Sequence, residues 1–169
     1  MEISRRGVMA GGAALYGASL ATTAGAQTVT LPKPFVVYDD ELKNGWTSQS
    51  WAKVEFGVAA GPVKPIKVEG DPWTALFLHH DPFSTEGFSR LIFYINGGMD
   101  GGQALAVKAL AAGKAIDSSY VIHPKPKSWN IVAVPLKDIG AAGKTIDGLW
   151  WQAQADAYKP YYITKIQFD

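Results

Sequence analysis

The sequence predicts an all-β protein, a two-sheet antiparallel β-sandwich of eight or nine strands. Apolar residues recur at alternate positions in one segment after another, clusters of Gly, Pro, Asn and Asp separate these segments every ten to twenty residues, and no stretch sustains a helical period. With one face of each strand apolar, such strands bury themselves by stacking two sheets.

The first strand is expected at Phe35–Tyr38, after a leader with two prolines, and it ends on Asp39-Asp40-Glu41. Trp51–Val58 alternates Trp51, Lys53, Glu55 and Gly57 against Ala52, Val54, Phe56 and Val58, the mark of a strand with one wet face. Ile66–Val68 is short and bounded by Pro65 and Gly70, and Trp73–His80 is a β-prone apolar run. Residues 90–107 read as a β-hairpin: Leu91, Phe93 and Ile95 on one face, Ile92, Tyr94 and Asn96 on the other, a glycine-rich turn, then Gln103, Leu105 and Val107. Alanine and leucine in 104–115 favour a helix, but Leu105, Val107 and Ala109 continue the alternation, so a strand is predicted there. Ser118–His123, Trp129–Leu136, Thr145–Ala155 and Tyr161–Phe168 complete the strands, with one turn of helix or a loop at 137–143.

Residues 1–26 are set apart. Ser4-Arg5-Arg6-Gly7-Val8-Met9 precedes a weakly apolar Gly/Ala run, and Ala24-Gly25-Ala26 offers small residues for cleavage before Gln27. This predicts a twin-arginine signal peptide, or an ordinary secretory signal carrying two arginines, with residues 27–169 as a single exported domain in the periplasm or outside a bacterial cell. No segment predicts a membrane anchor after signal cleavage. The chain has no cysteine, so thiolate metal sites and disulfides are excluded. Without Glu2, Arg5 and Arg6 it carries 14 basic and 14 acidic residues. That balance argues against nucleic acid as a partner and suits a neutral ligand.

The succession YDD, GW, HHDPFSTEGFSRLIFYINGGMDGGQALAV, SWNIVAVPLKDIG, TIDGLWWQAQ and YYITKIQFD resembles the β-jelly-roll domains of the carbohydrate-binding-module type that accompany secreted polysaccharide-active enzymes. The resemblance spans nearly all of 27–169 and implies a jelly roll that binds polysaccharide or oligosaccharide. It also implies that the two terminal strands are neighbours, where several such domains hold a structural calcium. Asp39, Asp40 and Asp169 are the candidate ligands, since calcium takes six to eight hard oxygens; the alternative is a solvated turn. These domains commonly carry an aspartate pair where this chain has Thr164-Lys165.

Sugars present flat C–H faces beside hydroxyls, so a site for them needs aromatic rings next to amides and carboxylates. If Leu149, Trp151 and Ala153 face the core, Trp150, Gln152 and Gln154 share the opposite face, and Tyr94 and Asn96 stand opposite Leu91, Phe93 and Ile95. These five are the candidate sugar-binding residues, expected together in one groove. The alternative is that Trp150 and Tyr94 cover a packed layer or a loop. Trp46, Trp73 and Trp129 are assigned to packing and Trp51 to the exposed face of its strand, while Tyr158, Tyr161 and Tyr162, around the last turn, are assigned to pinning the terminal strand, with a grip on the end of a glycan chain as the alternative.

His79 and His80 are adjacent on a strand and point to opposite faces, which disfavours a shared metal. The Gly97–Gly102 loop lacks the Lys-Ser/Thr ending of a phosphate cradle and reads as a flexible turn. No Gly-x-Ser-x-Gly, His-Glu-x-x-His or repeated glutamate motif signals catalysis. The leading expectation is a non-catalytic carbohydrate-binding protein. A small polysaccharide hydrolase or lyase, and an envelope or matrix protein with a protein partner, are the alternatives.

Overall fold

In the computed structural model, residues 31–169 form thirteen strands in two antiparallel sheets, and these are the residues the structure describes. The predicted signal segment lies outside the described residues. The strands are β1 Phe35–Asp39, β2 Glu41–Leu42, β3 Thr47–Ser48, β4 Lys53–Glu55, β5 Ile66–Gly70, β6 Ala75–Ser84, β7 Arg90–Asn96, β8 Leu105–Ala111, β9 Lys114–Ala115, β10 Val121–Ile122, β11 Asn130–Pro135, β12 Thr145–Ala153 and β13 Tyr158–Phe168. Five of these are three residues or shorter, and they account for the excess over the expected eight or nine. No helix among the described residues is long and apolar enough to cross a membrane.

One sheet, the front, runs β11-β7-β13-β1-β2, with β5 beside the first half of β13 and β4 outside β5. The back sheet runs β10-β8-β12-β6-β3, with β9 on β8. Period-two patterning decides which side chains meet between them. Leu91, Phe93 and Ile95 of β7 face Leu149, Trp151 and Ala153 of β12, all nearly or fully buried. The Phe93 and Trp151 rings cross the sandwich edge to face, 5.4 Å apart at 89°. Phe35, Trp46, Phe83, Phe88 and Phe168 close one end of the core, with His80 against the rings of Phe35, Trp46 and Phe83. His80 lies between the carbonyls of Asn44 and Asp81, 2.8 and 2.5 Å from its ring nitrogens.

The expected hairpin at 90–107 is corrected by the topology. β7 pairs with β11 and β13, whereas β8 pairs with β12 and β10, so residues 97–104 carry the chain from the front sheet to the back. Two strands that each offer an apolar face gain more by stacking across the core than by lying side by side. The connection is pinned. Gln103, buried, donates from Nε2 to the carbonyls of Gly97 and Lys159 at 3.0 and 3.1 Å. Gly97 N–H donates to Lys125 O, Lys127 N–H to Gly98 O, and Gly98 N–H to Asn96 Oδ1. The strand predicted over 104–115 is present as β8 and the short β9. Residues 137–143 are turns, and Trp51–Val58 shortens to β4.

Candidate functional site

The outer face of the front sheet holds an open cleft built from three strands. Its rows follow from register. Tyr94 on β7 stands between Ile131 of β11 and Thr164 of β13, Ile92 stands between Ala133 and Gln167, and Asn96 is opposite Tyr162. Trp129, one residue before β11, continues the Asn96–Tyr162 row. Successive rows on one face of a strand lie about 6.6 Å apart, so rings and amides alternate along the surface at short intervals. Ala60, Pro62 and Val63, in the turn closed by the Ala60–Val63 bridge, form one wall.

The cleft has two stretches that meet at Ala60 and Trp129. One, about 740 Å³, is lined by Ile92, Tyr94, Trp129, Ile131, Lys165 and Gln167 among others; the second, about 510 Å³, by Asn96, Met99, Asp100, Lys127, Lys159 and Tyr162 among others. Tyr94 and Trp129 are each 38% exposed, half-seated on the sheet.

A β-bulge in β13 shapes this floor. Between the Thr164–Tyr94 and Gln167–Ile92 pairs the register slips, and Lys165 takes a left-handed backbone with φ 52°. The inward parity switches there from Tyr161 and Ile163 to Ile166 and Phe168, all fully buried. Lys165 can therefore reach the cleft, where its ammonium pairs with the Asp39 carboxylate. That hydrogen bond, reinforced by the charges of Asp39 and Asp40, holds its pKa above the usual lysine value.

The five residues predicted to share one groove are divided between the two sheets. Tyr94 and Asn96 lie in the front cleft. Trp150 and Gln152, on β12, and Gln154 just beyond it belong to the outer face of the back sheet. Alternation along each strand was read correctly, but each strand's outer face turns away from the other across the core. Trp129 and Tyr162, assigned to packing and to pinning, line the cleft instead. Only the register of β11 and β13 against β7 reveals this.

Asp39, Asp40 and Asp169 do not form one ligand set. β1 and β13 are antiparallel with Phe35 opposite Phe168, so Asp169 lies at the start of β1 and Asp39 at its end. Each carboxylate also has its own partner: Asp39 pairs with Lys165, Asp169 with Arg90, and Asp40 accepts from Lys64 N–H at 2.9 Å. No group of three or more His, Asp or Glu among the described residues is placed to hold a metal ion. The donor set does not fit calcium.

No family model matches the chain. An endoglucanase of Dictyostelium discoideum is 27% identical over 143 residues, covering 77% of this chain and 20% of that protein, so the chain spans about a fifth of the length of the curated relative it matches. Among solved structures, a variant of a family 29 carbohydrate-binding module aligns with TM-score 0.62 at 12% identity, over 82% of this chain and 92% of the module. Variants complexed with cellulohexaose and with mannohexaose align with TM-scores of 0.61 and 0.59 at 13% and 12% identity, each over 80% of this chain and 89% of the module. The fold is the β-jelly roll of these modules. The likeness carries the architecture, and the ligand must be argued from the site.

Proposed function

We propose that the chain is an exported, non-catalytic carbohydrate-binding protein that lays a neutral glycan along the front-sheet cleft. The observation that carries this reading is the alternation of rings with hydrogen-bonding groups on one open surface: Trp129, Asn96 and Tyr162 in one row, Tyr94 in the next and Gln167 beside Ile92 in the row after. Sugar C–H faces stack on the indole and phenol rings, while Asn96, Gln167 and the tyrosine hydroxyl hydrogen-bond the sugar hydroxyls. Lys165, neutralised by Asp39, adds little net charge. Similarity to an endoglucanase and to modules complexed with hexose hexamers supports the ligand class.

Hydrolysis of a glycosidic bond takes two carboxyl groups flanking it. Of the described residues lining the cleft, Asp100 alone is acidic. Export rests on the 1–26 segment and is checked by amino-terminal sequencing of protein recovered outside the cytoplasm, with Gln27 the expected first residue. Binding is checked by retention on insoluble and soluble polysaccharides, with Y94A/W129A beside the wild type and reducing ends assayed in the same tubes. Retention that the double variant weakens, without new reducing ends, is expected. New reducing ends would make the chain an enzyme, and a folded protein retained by no glycan would shift the case to a protein partner.

A further inference from the structure

A second group of aromatic residues stands on the outer face and rim of the back sheet, away from the front cleft. Trp150 lies beside Phe77, and Trp51 meets both rings edge-on, at 5.4 and 6.1 Å. Trp51 is 44% exposed and Trp73 is 56% exposed. Trp73 has φ 65°, a left-handed backbone that is strained for a bulky residue. Three hydrogen bonds hold it there. Its N–H donates to Gln154 O at 3.1 Å, and its carbonyl accepts from Trp51 Nε1 at 2.9 Å and Gln152 Nε2 at 3.0 Å. The Gln152 amide expected to touch ligand and the Gln154 backbone carbonyl thus hold the backbone of an exposed tryptophan whose indole does no core packing.

Beside Trp51 opens a cleft of about 440 Å³, also lined by Lys53, Glu69, Asp71, Thr74 and Lys159. The 71–74 loop is seated tightly. Thr74 Oγ1 donates to Asp71 O at 2.7 Å, and a Cβ at Gly70 would lie 2.1 Å from Thr74 Oγ1, so only glycine permits this approach.

We propose that this rim is a second carbohydrate-binding site, taking an uncharged sugar at a chain end or branch independently of the front cleft. Two lysines and two carboxylates balance in the lining, which favours a neutral polyol over a phosphate or uronate. With the Trp51 indole N–H already bonded to the Trp73 carbonyl, Trp51 meets the ligand through its ring surface, as stacking on sugar C–H groups requires. The polar cleft wall is unlike the broad apolar patch of a protein interface. Two sites on one domain would let the protein bridge two glycan strands or bind one with avidity. This inference shares with the front-cleft reading the premise that the ligand is a glycan, and it stands or falls separately.

The test is a titration of mannohexaose and of cellulohexaose into the ¹⁵N-labelled chain and its Y94A/W129A variant, following the indole N–H signals of Trp51, Trp73 and Trp129 assigned through W51F, W73F and W129F. Expected are saturable shifts at Trp51 and Trp73 in both proteins, with the apparent Kd unchanged within about twofold in the variant, as for independent sites. Shifts at Trp129 with Trp51 and Trp73 stationary would overturn the second site and leave the front cleft standing. Shifts at Trp51 that vanish in Y94A/W129A would make the rim an extension of the front cleft, reached past Lys159, which lines both, and would overturn independence. Indoles that do not move with either hexaose would overturn both readings.

Discussion

Tyr161 shows how one side chain can set the protein's pH limits. Its ring is fully buried on the inner face of β13, and its hydroxyl has no hydrogen-bond partner among the described residues. Burial pushes its phenol well above the ordinary tyrosine value of about 10, and the neighbouring Tyr158 adds to the shift. Burial likewise raises Tyr38 and Tyr158, and Lys165 is raised by Asp39. A group whose folded pKa is raised gives stability that is fully present below its unfolded pKa and lost as pH climbs through the folded one. The protein should therefore hold its stability at neutral pH and lose it above about pH 10. Y161F removes an unpaired buried hydroxyl and should stabilise the neutral protein by about 1 kcal/mol, with a smaller loss at high pH. Urea unfolding of both proteins at neutral and alkaline pH checks this, and a destabilised Y161F would show that the hydroxyl has a partner.

At the scale of elements, the crossing loop and the bulge in β13 build the front cleft. Gly98 has φ 70°, and a Cβ there would lie 2.3 Å from the Pro160 carbonyl oxygen. G98A should cost more than about 1 kcal/mol and weaken glycan retention, because Met99, Asp100 and Tyr162 line the cleft at this loop. Thermal melts and the retention assay read the two effects separately. The terminal strands carry a further expectation. Since the register parts Asp169 from Asp39 and Asp40, a chelator should leave Tm unchanged, and a fall of several degrees would reveal a bound metal held by other ligands. The same elements show what was legible in the sequence. The inward sets Leu91, Phe93, Ile95 and Leu149, Trp151, Ala153 could be read directly, because alternation records burial along a strand. Which sheet a strand joins is set by partners far away in sequence, so β7 and β8 looked like a hairpin, and Tyr94 and Trp150 looked like neighbours. Tyr162 was hidden further by the bulge, which changes parity inside β13 at a residue, Lys165, that carries no turn signal.

For the whole molecule, the sandwich is a rigid spacer between two outward surfaces, and its stability rests on one shared core without disulfides. Trp151, fully buried against Phe93, is central to it, and W151A should cost about 3–5 kcal/mol by denaturant unfolding. Because β13 pairs with β1, β5 and β7, the front sheet is complete only when the carboxy-terminal strand docks. A cleft whose rows draw on β7, β11 and β13 therefore reports on the folded whole.

The measurement closest to the central claim is calorimetric titration of mannohexaose and cellulohexaose into the wild type, Y94A, W129A and the back-sheet variant W150A, each confirmed as folded. The front cleft predicts that Y94A and W129A each weaken the front-cleft binding event about tenfold or more for whichever hexaose binds, with W150A leaving that event close to the wild type. Wild-type affinity in both Y94A and W129A, with binding lost in W150A, would contradict it and move the main site to the back sheet.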